Sequence, residues 1–184
     1  MKNLALGALT LAIGLYGSTA LADTDSSASA HVYVDVTANI AIAPPGIDVD
    51  LGDQMDDFTG AATFRVDANS QDIYLTCGAS SLYKGNDPTN SDVAPLPVNL
   101  SSGCEVNPAN ANRMGGLPNT LGFVGDAPDL INGYSLNQTE QGHYESSQNG
   151  HFSQDVTLVV DWIIPLEQPQ GEYSGVVALW GAIL

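Results

Sequence analysis

The chain has 184 residues and carries only 4 Lys+Arg against 21 Asp+Glu, a formal net charge of -17. That balance excludes nucleic acid as a partner, because displacing counterions from phosphates needs cationic side chains. It fits a solvated, soluble surface instead.

The N-terminus has Lys2, an apolar run from Leu4 to Tyr16, and Ala20-Leu21-Ala22 before Asp23. This is the layout of a secretory signal, and residues 1–22 are expected to be removed. The run is shorter than the roughly 20 residues of a bilayer span, and no later run reaches that length, so no membrane span is expected in the mature chain. Residues 23–184 are expected to form one domain.

From Ala28 to Ile42 every even position is apolar, and most odd positions through Asn39 are polar. That period predicts one long strand with one buried face, ended by Pro44-Pro45-Gly46. Next, Ala62, Phe64, Val66 and Ala68 alternate with polar residues. Across Asn69-Ser70 they are followed by Ile73, Leu75 and Cys77, which reads as a hairpin with an apolar inner face. Shorter strands are expected at 93–100 and 121–124, between stretches rich in Asn, Gly, Pro and Ser. Val156, Leu158, Val160, Trp162, Ile164 and Leu166 form the clearest alternation, and Gln168-Pro169-Gln170-Gly171 turns the chain into a last segment, 172–184. That segment is apolar on both faces, as suits a central strand or one covered by a neighbouring chain. Seven to nine strands separated by turns predict an all-β, immunoglobulin-like β-sandwich.

Cys77 and Cys104 are the only cysteines. After export into an oxidising compartment they are expected to form one structural disulfide, worth about 3–4 kcal/mol by loop entropy.

Motifs that tie spacing to catalysis, such as G-x-S-x-G, a Walker loop, H-E-x-x-H or a dinucleotide fingerprint, do not occur in the sequence. Neither enzyme activity nor a cofactor is expected. Five carboxylates, Asp48, Asp50, Asp53, Asp56 and Asp57, crowd one turn and offer a weak Ca²⁺ site that departs from the EF-hand pattern; the alternative is a solvated acidic turn. Tyr134, His143, Tyr144 and Phe152 lie in a polar stretch, read as a loop, whose mixture of aromatic and amide groups suits glycan contact. A metal site from His143, His151 and Glu145 matches no standard ligand spacing.

The alternating segment 28–42, together with Gly171-Glu172-Tyr173-Ser174-Gly175 opening the last strand, with Gly171 fourteenth from the C-terminus, resembles chaperone-usher pilin subunits and related exported, strand-exchanging filament proteins. The cysteines lie later than is usual there, and Ile183 stands where a penultimate tyrosine is common. The resemblance implies a fimbrial surface subunit, secreted through the periplasm and met there by a chaperone. Such a subunit self-assembles, or joins other surface subunits, by β-strand complementation. Val32, Val34, Val36, Ala38, Ile40 and Ile42 would be its donor residues, serving the chain's own sandwich or a neighbour's. The competing expectation is a monomeric, secreted module that binds glycans or attaches through Ca²⁺.

Overall fold

A computed structural model describes residue 34, residues 36–45 and residues 49–184. The folded unit runs from Val36 to Leu184. Its strands, in chain order, are β1 (Ile40–Ala43), β2 (Phe58–Ala68), β3 (Asp72–Ser80), β4 (Tyr83–Lys84), β5 (Cys104–Pro108), β6 (Ala111–Arg113) and β7 (Thr120–Leu121). They continue with β8 (Phe123–Asp126), β9 (Leu136–Thr139), β10 (Gly142–Ser146), β11 (Phe152–Trp162), β12 (Tyr173–Ser174) and β13 (Val177–Ile183). A single 3-10 turn, Met114–Gly116, is the helical element among the described residues.

The protein is an all-β, two-layer sandwich. One sheet has the order β1-β2-β11-β5-β7; the other is built on β3, which pairs with β10 and β9 along one edge and β13 along the other, with β6 and β8 outside β10 and β9. The separate strand count exceeds seven to nine because several ladders are short, including the two-residue ribbon β4–β12.

β2 and β11 oppose each other over their full length, from Phe58↔Trp162 to Ala68↔Phe152. Their inner faces carry Phe64, Val66, Val156 and Leu158, all buried. Burying each such side chain contributes about 1.5–3 kcal/mol. On the outer face, Thr63 and Thr157 hydroxyls meet at 2.9 Å, and Arg65 reaches Asp67 at 3.0 Å and Asp155 at 3.6 Å. Exposed pairs of this kind add little stability, but they agree with the register that the apolar face sets.

The two layers are tied through the core. Cys77 on β3 and Cys104 on β5 form a disulfide between the sheets, both fully buried. Trp162 of β11 donates its indole N–H to the Ser80 carbonyl of β3 at 3.0 Å.

The expected hairpin differs from the structure. β2 and β3 are not a hairpin: they lie in different sheets and face each other across the core. β11 and β13 likewise lie in different sheets. Period two fixes which face is buried, not which strand is the hydrogen-bonded neighbour. The single strand expected over Ala28–Ile42 is also shorter within the described residues, where only Ile40–Ala43 pairs, with Ala68 to Arg65 of β2. β2 ends at Ala68, and beyond it Asn69 takes the place of a strand partner. Asn69 Oδ1 accepts from Asn39 N–H at 2.6 Å, and its Nδ2 donates to the Thr37 carbonyl at 2.7 Å. Thr37 and the residues beside it therefore run past the end of the sheet.

Tyr144 on β10 is fully buried opposite Ile73. Burial pushes its phenol from 10.0 up to about 12, against a smaller opposing pull from Arg113. The folded chain therefore holds this proton where the unfolded chain has lost it. The stability it contributes is whole below pH about 10 and lost as pH rises through about 12. Urea unfolding between pH 9.5 and 12 should show a loss of about 2–3 kcal/mol that Tyr144→Phe abolishes.

Candidate assembly site

The two lateral sides of the sandwich are unlike. On one side the chain passes from sheet to sheet at Gly122: Thr120–Leu121 pairs with β5, and Phe123–Asp126 pairs with β9. That crossing links the two sheets at their margin.

On the other side β1 and β13 are the margins. β13 is bonded to β3 from Ile73 to Ala79, and no strand among the described residues pairs with its outer edge. β1 covers only Arg65–Ala68 of β2, so among the described residues Phe58–Phe64 also keeps an unpaired edge there. The two margins meet where a Cβ placed on Gly181 of β13 would lie 2.7 Å from Ile40 Cδ1 and 3.1 Å from Ile42 Cδ1. Partly buried apolar residues gather along this side, among them Ile40, Ile42, Leu51, Ala62, Val177 and Ile183. An edge strand with unpaired N–H and C=O groups beside apolar side chains is a template for another strand.

The predicted donor residues divide here. Ile40 and Ile42 belong to the chain's own β1 and pack on the core. Ala38 is exposed and outside any strand, and Val34 and Val36 are 82% and 77% exposed. Val32 lies outside the described residues.

Three of the four predicted glycan contacts are buried. Tyr144 and Phe152 are fully buried and Tyr134 is 5% exposed, so none of the three offers a face to a sugar. Tyr144 and Phe152 occupy inward positions of β10 and β11. Tyr134 uses its hydroxyl internally, donating to Asn86 Oδ1 at 2.7 Å. Half-buried His143 sits 5.2 Å from the Tyr74 ring, with Nε2 3.5 Å from an Asp72 carboxylate oxygen. Glu145 accepts from Gln71, and His151 contacts the Asn149 carbonyl through Nδ1.

The acidic turn does not assemble a cation cage among the described residues. Asp50, Asp53, Asp56 and Asp57 are exposed, and no three metal-ligating side chains come together. Asp50 accepts from Gly52 N–H and Asp57 from Ile164 N–H, which commits two of the carboxylates to backbone donors. Asp48 lies outside the described residues.

Where the chain enters β1, an open polar depression of about 310 Å³ is lined by Asn39, Asp67, Asn69, His151 and Ser153. Arg65, and then the Ser153 hydroxyl, hold the Asp67 carboxyl below its ordinary range. No protein-family profile, curated protein or solved structure matches the chain.

Proposed function

We propose that this chain is an exported structural or adhesive surface subunit that assembles by strand complementation, the alternating segment 28–38 of one copy pairing with the open side of the next. β13 carries this reading. It is apolar on both faces, as a strand enclosed by neighbours is, yet among the described residues only one of its edges is paired. A period-two strand from another copy would satisfy its backbone and cover its apolar margin in one step.

Three further observations support it. β1 stops at four residues, leaving part of the β2 edge free. The even-numbered apolar residues before β1 continue a strand pattern that β2 is too short to receive. The buried disulfide accords with an oxidising compartment, as does the signal-like N-terminus. In this reading a periplasmic chaperone protects the same edge before assembly, and no catalysis is involved.

Electron microscopy and sedimentation of the purified protein test the proposal. Filaments or a concentration-dependent ladder of oligomers are expected. A single monomeric species at every concentration would refute it.

A further inference from the structure

Among the described residues of the acidic turn, Leu51 is the one that packs on the core. Its neighbours in the chain are solvated: Val49 is 48% and Met55 91% exposed, and Asp50 and Asp53 are exposed as well. The Leu51 methyls lie 3.0 and 3.2 Å from where a Cβ on Gly60 would be, with the Trp162 ring at 2.8 Å from the same point. Gly60 is an inward position of β2, within the Phe58–Phe64 stretch that β1 leaves unpaired. Leu51 therefore fills a notch that exists because residue 60 has no side chain, beside a free sheet edge. Around Leu51 the turn is held by short-range bonds, Gly52 N–H to Asp50 at 2.9 Å and Gln54 Nε2 to the Leu51 carbonyl at 2.5 Å, while its far end is anchored by Ile164 N–H to Asp57 at 2.8 Å.

A strand added to that edge would set its own inward side chains beside Gly60 and Ala62, since cross-strand neighbours on one face stand about 4.5–5.5 Å apart. It would compete with Leu51 for the same space. We infer that the notch at Gly60 is a subsite for a bulky apolar side chain from a second copy, and that Leu51 is a built-in plug which the incoming strand displaces. The inference rests on the strand-complementation reading and adds to it a specific site and a cost of entry. The plug keeps the notch covered while the subunit is alone. Its half-buried position makes it removable without opening the core between β2 and β11.

The test compares assembly of the full chain with that of Leu51→Ala, started by dilution from denaturant and followed by light scattering. Removing a partly buried leucine from the competing position should speed assembly about five- to tenfold. Hydrogen exchange on the unmodified chain gives a second readout. On assembly, the Gly52 amide should lose the protection that its bond to Asp50 gives, while amides of Phe58–Phe64 gain protection. If Leu51→Ala proves unfolded by circular dichroism, the exchange experiment decides alone. Equal assembly rates with unchanged exchange at Gly52 would overturn the plug and leave strand complementation standing. No assembly by either protein would overturn both.

Discussion

Replacing both cysteines, Cys77→Ala with Cys104→Ala, should lower stability by about 3–4 kcal/mol and the melting temperature by about 10 °C. The bridge joins β3 of one sheet to β5 of the other across 27 positions of chain. Much of the intervening segment is irregular: after Lys84 it is held by isolated bridges, Leu82↔Leu96 and Val98↔Trp162, rather than by a continuous ladder. Without the bridge the unfolded chain regains that loop freedom, and the 85–103 segment should exchange its amides first. Scanning calorimetry of the double variant checks the prediction, and a shift under about 2 °C would contradict it. The same variant should not alter the free edge of β13, which lies at the opposite margin of β3's sheet from the Gly122 crossing.

Deleting residues 28–38 should leave the fold intact and abolish assembly. The deletion ends before Asn39, whose N–H bonds to Asn69, and before Ile40–Ala43, so β1 and its contacts at Gly181 remain. Of the removed residues that the structure describes, Val34, Val36, Thr37 and Ala38 are exposed, and among these only the Thr37 carbonyl is held, by Asn69. The thermodynamic cost should be under about 1 kcal/mol, the net worth of one exposed hydrogen bond. Assembly should fall to background by sedimentation. A deletion that melts the domain would mean that the segment belongs to its own sandwich; one that assembles normally would mean that it is no donor.

Much of the sandwich was legible because burial in a sheet follows period two. The inward residues Phe64, Val66, Ile73, Leu75 and Cys77 and the core face of β11 from Val156 to Trp162 all follow from alternation. The cysteine pair also forms the bridge that an even count suggests. Strand partnership was not legible, since the alternation of β2 and β3 is the same whether they pair side by side or face to face across the core. The end of β1 was hidden as well, because it is set by where β2 turns at Asn69, thirty positions away. The polar stretch before Asp155 misled for a different reason. Phe152 is in phase with Val156, but Gln154 between them interrupts the apolar pattern. Gln154 is nonetheless buried, its carbonyl oxygen accepting from Asn110 N–H and its amide donating to Ser146 Oγ. A paired polar residue at an inward position makes a strand look like a loop. Leu51 was masked by the carboxylates around it, and its partner is a glycine whose missing side chain leaves no sequence signal.

The central claim is that the 28–38 segment of one copy adds to the open side of another. It is tested most directly by supplying that segment as a synthetic peptide to the 28–38 deletion variant and following amide exchange. The account predicts a one-to-one complex in which Val177–Ile183 and Phe58–Phe64 gain protection and the β7–β8 crossing does not. A peptide that fails to bind, or that protects residues away from β13 and the free stretch of β2, would contradict it.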